Sequence, residues 1–336
     1  MDSTSFKWGE LAFGSKKPVN DLQATFIAAT REMSDKRFKQ LIKTYLPHGN
    51  IVLGISEEPY VLGFRNQPHF KMSQHKEFKN IIDIVNANSE RKIYTLEYSQ
   101  RDLKYVLDKI RFKRAAFING SWKFAFHTLD PFYVLIKRSI PYELLSPFAD
   151  EDEARLAEKF YTKKIKKIAK EHLEIIHGSN IHNDYYMLLI ADLARINSFD
   201  YNFQTGVSLG KKLTKDTYTY LTSAYNKVVP YETYAMHFGA SRERNFSPPN
   251  DLNHYDTVHA EVMLILKAAK EQINLSDTTL FINLLPCPSC SRMLAETPIK
   301  EIVYSQDHSN GYAVQLLESA GKTVRRVITE ETEGIV

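Results

Sequence analysis

The only two cysteines of this 336-residue chain stand three apart, in Pro286-Cys287-Pro288-Ser289-Cys290, and a His259-Ala260-Glu261 lies one helix and one strand upstream. Such spacing rules out a disulfide framework and makes a reducing compartment the expectation. Each group opens a segment of helical apolar spacing, so His259 and both cysteines fall at helix starts. There the positive end of the helix dipole favours thiolate. Zinc accepts one imidazole nitrogen and two thiolates and leaves a fourth tetrahedral position for water. Glu261, two residues past the histidine, can approach that water without ligating the metal. Three protein ligands beside a carboxylate describe a catalytic site, whereas a closed structural site wants four. Two other uses of these residues stay open. Cys287 and Cys290 suit a thiol redox pair, and the metal could serve structurally in a nucleic-acid-binding module.

Composition narrows the class around that feature. Hydrophobic residues are 43% and charged residues 25%, which is globular rather than disordered or fibrous. Basic residues number 44 against 40 acidic, a net +4, and the pI is near 8.7: compatible with a polyanionic partner without demanding one. No run approaches the ~18 apolar residues of a membrane span. The opening MDSTSFKWGE lacks the basic-then-apolar order of a secretion signal, so a cytoplasmic location is expected.

The length predicts two domains. Ser146-Pro147-Phe148 and the acidic run after it mark a joint. From about Asp152 to His177, Leu156, Phe160, Ile165, Ile168, Leu173 and Ile176 recur at helical spacing above a lysine-rich polar face. Gly178-Ser179-Asn180 punctuates. The expected layout is therefore 1–150, a basic linker helix over 151–178, and 179–336. In the last part we expect a helix over 183–198 and strands over 207–209 and 218–224. A long irregular stretch follows from Pro230 to His254, for which a substrate lid or clamp is one reading. Then come a helix over 257–272, a strand over 279–284, a helix over 287–296, a strand over 301–304, a helix over 313–320 and a strand over 324–328. Alternating strands and helices mean a sheet covered by helices.

His-x-Glu followed by Pro-Cys-x-x-Cys is the signature of zinc-dependent nucleobase deaminases. Over roughly Asn183 to Val327 the chain resembles the zinc-dependent cytidine and deoxycytidylate deaminase superfamily, most specifically in Thr257 to Val262 and in Leu280 to Cys290. The resemblance implies an α/β fold of three layers, a mixed five-stranded sheet between helices. It implies one zinc ion held by His259, Cys287 and Cys290 in the carboxy-terminal domain, and Glu261 as proton shuttle in hydrolytic deamination of cytosine or adenine. Asn226 stands where such enzymes carry a strand-end Gly-x-Asn, here Ala224-Tyr225-Asn226, and with Ala260 and Pro286 it is expected at the substrate. About twenty residues containing a helix separate Tyr304 from Val324, enough for a parallel crossover. Parallel last strands resemble the deoxycytidylate, tRNA-adenosine and APOBEC-type branch.

Lys92 to Phe117 aligns with Thr279 to Tyr304 at an offset of 187 without a gap, which predicts a degenerate deaminase-like copy in the first half. Gln100 and Leu103 would replace the two cysteines there, leaving that copy without zinc. Its leading helix is expected over Leu22 to Phe38, with strands over 50–56 and 60–64. Arg101, Lys104, Lys109, Arg111, Lys113 and Arg114, with Tyr94, Tyr98, Tyr105, Phe117 and Trp122 nearby, fit a single-stranded nucleic acid. Arg242, Arg244 and Lys227 fit a polynucleotide or a single 5′-phosphate. Nucleic acid is thus the expected substrate, a free nucleotide its rival. An internal pseudo-dimer is expected to stand in for a homo-oligomer.

Overall fold

The computed structural model describes residues 4–14, 19–28, 31–176, 181–246, 255–307 and 310–328. The chain divides into two units, the first made of 1–158 and 233–255, the second of 159–232 and 256–336. The expected contiguous layout is therefore corrected: the chain leaves the second unit after Glu232 and re-enters it at Asp256. The turn expected near 178 lies outside the described residues.

The first unit is a six-stranded sheet of β1 (Ser5–Lys7), β2 (Val19–Ala28), β3 (Asn50–Ser56), β4 (Ile93–Tyr98), β5 (Ile110–Ile118) and β6 (Tyr142–Leu145), in the order β1-β4-β3-β2-β5-β6. Every pairing in it is parallel. Its helices are α1 (Trp8–Gly14), α2 (Asp35–Tyr45), α3 (His75–Asn88), α4 (Leu103–Lys109) and α5 (Asp130–Lys137), and α6 (Glu151–Ile176) begins in it. Side chains alternate across each strand. Ile27, Ile51, Leu53, Ile55 and Ile93 pack on Phe38, Leu41 and Ile42 of α2 and Phe78 and Ile81 of α3, while Phe26 and Phe112 stack at 4.5 Å.

This topology corrects the expected duplication. The segment read as a leading helix over 22–38 opens in strand β2 and reaches α2 only at Asp35. A central parallel strand is covered on both faces, so apolar residues stand side by side in Phe26-Ile27-Ala28, and such a run mimics helical spacing. Residues 60–64 form no strand; Tyr60 makes a single bridge to Lys71. Gln100 is a structural group whose amide donates to Ser56 Oγ and Tyr60 O. The proposed nucleic-acid face divides too: Tyr98, Phe117 and Trp122 are buried, Lys104 pairs with Asp130, and Arg114 pairs with Glu143.

The second unit is a mixed six-stranded sheet. Its strands are β7 (Ile181–His182), β8 (Gly206–Lys212), β9 (Tyr218–Tyr225), β12 (Thr278–Leu284), β13 (Glu301–Gln306) and β14 (Thr323–Arg326), in the order β14-β13-β12-β8-β9-β7. A separate two-stranded ribbon pairs β10 (Lys227–Val228) with β11 (Thr257–Val258). The sheet has six strands rather than five because Ile181 and His182 add an edge against β9. β12, β13 and β14 run parallel, as the twenty-residue crossover predicts, whereas β8 is antiparallel to both β9 and β12. That antiparallel pair has no counterpart in the all-parallel first sheet, so the expected internal pseudo-dimer lacks a second sheet of its kind.

Alternation along β12 builds the layers of this unit. Leu280 and Ile282 face Leu264 of α10 (Ala260–Lys270), Leu294 of α11 (Pro288–Ala295) and Leu317 of α12 (Tyr312–Ser319). Phe281 faces the opposite way, onto Met187, Leu188 and Ile190 of α7 (Asp184–Arg195). Burial of Ala260, Leu264 and Ala268 at four-residue spacing fixes which stripe of α10 meets the sheet.

The stretch from Pro230 to His254, expected to be irregular, is corrected as well. Of its described residues, 233–246 belong to the first unit and carry the short helices α8 (Tyr234–Phe238) and α9 (Ser241–Asn245). Arg242 is buried there with its guanidinium 4.5 Å from the Tyr255 ring, so it is no exposed phosphate grip on the second unit. Residues 247–254 lie outside the described residues.

Candidate metal centre

His259 caps the amino terminus of α10 and Cys287 that of α11, both in extended backbone conformation. Pro288 at the first helical position presets α11, and the Cys290 amide donates to Cys287 Sγ at 3.4 Å. This local geometry brings both sulfurs to one side of the helix start. β11 ends one residue before His259 and delivers its ring to them.

His259 Nδ1 lies 3.6 Å from Cys287 Sγ and 3.4 Å from Cys290 Sγ. A tetrahedral zinc with ordinary Zn–S and Zn–N distances separates nitrogen from sulfur by about 3.6 Å. The three donors therefore fit one zinc ion. Among the described residues they are the sole His/Cys/Asp/Glu group with this closeness.

Electrostatics agree with cation binding. The Cys287 thiol is pushed far down by hydrogen bonds from Cys290 and His259, which outweigh its burial. Cys290, hydrogen-bonded to Cys287 and buried, is pushed up, so the metal-free pair keeps one shared proton that a cation would displace. His259 is raised, chiefly by its hydrogen bond to Cys287, with burial opposing.

Glu261, the second residue of α10, is 3% exposed and lies beside Cys290. Burial pushes its carboxyl up to about 7, against the lowering influence of His259. A carboxyl poised there exchanges protons readily at neutral pH. Ala260 is fully buried, and Pro286 is buried with its carbonyl accepting from Ser291 Oγ.

Asn226 follows β9 and is 4% exposed. Its Oδ1 accepts from the Thr205 amide at 2.8 Å, and its Nδ2 donates to Phe203 O at 2.8 Å and Asp200 Oδ2 at 3.2 Å. Asp200 also accepts from Thr257 Oγ1 at 3.2 Å, two residues before His259. Sequence reasoning missed Asp200 and Thr257. The available signal was a carboxylate set between two aromatics, Phe199 and Tyr201, immediately ahead of a strand.

Residues 174–306 match the family described as the cytidine and deoxycytidylate deaminase zinc-binding region. Two curated relatives are ComE operon protein 2 of Bacillus subtilis, 32% identical over 76 residues (22% of this chain, 40% of the relative), and deoxycytidylate deaminase of Saccharomyces cerevisiae, 29% identical over 117 residues (34% and 37%). This chain thus spans about two fifths of the length of either. Among solved structures, the dCMP deaminase of cyanophage S-TIM5 in complex with dCMP and dUMP is similar at 20% identity and a TM-score of 0.32, covering 43% of this chain and 95% of that one.

Proposed function

We propose that residues 174–306, a zinc-binding region of the cytidine and deoxycytidylate deaminase superfamily, hydrolytically deaminate a free cytosine nucleotide and release ammonia. The observation that carries this reading is the convergence of His259 Nδ1, Cys287 Sγ and Cys290 Sγ beside the buried Glu261. The preference for a free nucleotide over nucleic acid rests on the deoxycytidylate deaminases among the relatives. The burial of Tyr98, Phe117 and Trp122 supports it, because these three rings of the expected nucleic-acid face are not free to stack on bases.

His259, Cys287 and Cys290 would hold one zinc ion per chain, in the second unit. When bound, the ion supplies the positive charge that lets a water lose its proton near neutral pH. Glu261 would take that proton at a carboxylate oxygen and give it to the ring nitrogen; it would then take the remaining proton of the hydroxyl added at the amine-bearing carbon and give that one to the amine, which departs as ammonia. A carboxyl pushed up to about 7 suits both the accepting and the donating step. Ala260 and Pro286, each adjacent in sequence to a metal ligand, form the wall against which the base lies. Asn226 is a positioning residue: both ends of its amide are engaged by Thr205, Phe203 and Asp200, which ties the start of β8 to the end of β9.

The test is ammonia release by zinc-loaded protein from dCMP, dCTP, cytidine and single-stranded DNA, with Glu261→Gln alongside. A free cytosine nucleotide should be turned over, and the variant should keep its zinc while losing activity about 10³-fold. Turnover of the polynucleotide alone, or of none of these substrates, would overturn the reading.

A further inference from the structure

Residues 159–167 of α6 hold five lysines and no acidic residue, a local charge of +5 in a chain whose net charge is +4. Their place on the helix follows from its turn of about 3.6 residues. Tyr161 and Ile165, at 4% and 2% exposure, mark the inward side, where the Tyr161 ring meets that of Phe199 at 6.4 Å. Lys159, Lys163, Lys166 and Lys167 fall on the opposite side, and all are exposed. At about 1.5 Å of rise per residue, Lys159, Lys163 and Lys167 form a row with steps of about 6 Å. Because the inward side is anchored, that row is held in place.

A solvated helix face ordinarily sets opposite charges four residues apart. The first turns of α6 do so, with Arg155 pairing with Glu151 at 2.7 Å. Past Glu158 that pattern stops. Lys159 and Lys163, and again Lys163 and Lys167, are like charges at the same spacing, which weakens a helix. None of the five lysines has an ion-pair or hydrogen-bond partner among the described residues; Lys164 places its ammonium 4.0 Å from the centre of the Phe160 ring. A fixed row of uncompensated ammonium groups matches an anion whose charges are also spaced in a row.

We propose that this face of α6 is a docking surface for single-stranded nucleic acid. None of its residues belongs to the metal centre, and the inference does not rest on the substrate assigned there. Phe160 decides the partner. Its ring is 52% exposed beside the lysine row. An exposed aromatic among lysines gives a base a surface to stack on while phosphates meet the ammonium groups. A duplex keeps its bases stacked on one another and makes no use of the ring. Phe160 is also the one exposed apolar side chain of residues 159–167, too little to seat the helix in a lipid surface.

The test measures binding of the full chain to a fluorescently labelled oligothymidylate of about 16 nucleotides, by anisotropy across a salt series. Thymine has no exocyclic amine, so binding is read apart from any deamination. Wild type should bind, with log K falling against log salt at a slope of about −3, the value for about four phosphate contacts on a single strand. Lys163→Gln with Lys167→Gln, which keeps good helix formers at two exposed positions, should weaken binding about tenfold or more and flatten the slope to about −1.5. Phe160→Ala should weaken binding about tenfold and leave the slope unchanged, because stacking releases no counterions. Circular dichroism checks that each variant keeps its helix content. No binding tighter than about 100 μM at low salt, or one slope shared by wild type and the double variant, would overturn the proposal. So would an unchanged affinity in Phe160→Ala, since any polyanion would then serve. Binding to phosphatidylserine vesicles and not to the oligonucleotide would overturn it too, by assigning the face to a lipid surface.

Discussion

Asn226 Nδ2 and Asp200 Oδ2 lie 3.2 Å apart, both buried, and together they join the loop before β8 to the end of β9. Asp200 is held by further bonds from the amides of Asn202, at 2.7 Å, and Phe203, at 3.2 Å. These donors do not fully offset its burial, which pushes its carboxyl from 3.8 up to about 6.

That value has a defined sign in stability. Between about pH 4 and pH 6 the folded state binds more protons at Asp200 than the unfolded chain does, so this residue's contribution falls as pH rises through the window. The deficit, about 3 kcal/mol, then persists at higher pH. Asp200→Asn removes the titration. In metal-free protein, urea unfolding should show the variant gaining on wild type between pH 4 and pH 6, with a constant advantage above pH 7. A parallel pH dependence in both proteins would refute the assignment.

Zinc stoichiometry should follow the three donors. Elemental analysis of wild type should give about one zinc per chain, and Cys287→Ala or Cys290→Ser should reduce it to below about a tenth. A chelator should lower the melting temperature of wild type and leave that of Cys290→Ser unchanged. Equal zinc in wild type and Cys290→Ser would show that the metal binds elsewhere.

Gly206 packs directly under α7. A Cβ there would stand 2.0 Å from Ala191 O and 2.6 Å from the Arg195 amide nitrogen, both backbone atoms that cannot rotate away. Gly206→Ala should therefore push α7 off the sheet and destabilise the second unit by about 3 kcal/mol or more, measured by denaturant unfolding. A loss below about 1 kcal/mol would mean that helix and strand can separate freely.

Arg325 closes the sheet edge by ion pairing. Its Nε donates to Glu301 at 2.6 Å, its Nη1 to Asp184 at 2.9 Å and its Nη2 to the Tyr218 hydroxyl at 3.2 Å, which ties β14 to β13 and α7. Burial raises the Glu301 carboxyl most, but the bond and charge of Arg325, the Thr279 hydroxyl and the charge of Lys212 together reverse this and leave it below the usual range. Arg325→Ala should cost about 2 kcal/mol at pH 7. The difference from wild type should shrink as pH falls through the Glu301 titration, because a folded-state value held low is stability that protonation removes. A difference independent of pH would assign the loss to packing instead.

Much of the second unit was legible beforehand. Pro288, the two cysteines and the stop before Pro298 mark both ends of α11. Alternation in Leu280, Phe281 and Ile282 announces a strand covered on both faces. The first unit was misread where periodicity is ambiguous. Phe26 to Ala28 is continuously apolar, and a buried parallel strand and a buried helix look alike over so few residues. The alignment of 92–117 with 279–304 was a match of one strand-helix-strand to another, which any parallel α/β unit supplies.

What the amino-acid order determined by itself was the grouping of the candidate metal centre. Helix caps, the proline at the first turn and the three-residue spacing are local, so the meeting of His259, Cys287 and Cys290 beside Glu261 could be expected without knowledge of the fold. Only the tertiary structure decided what lies opposite what. Strand order and direction depend on long-range pairing, which leaves the same local pattern whether neighbouring strands run parallel or antiparallel. For that reason the all-parallel first sheet, and the return of residues 233–246 to the first unit, where Met236 meets Arg31 and Glu243 meets Trp122, could not be read from spacing along the chain.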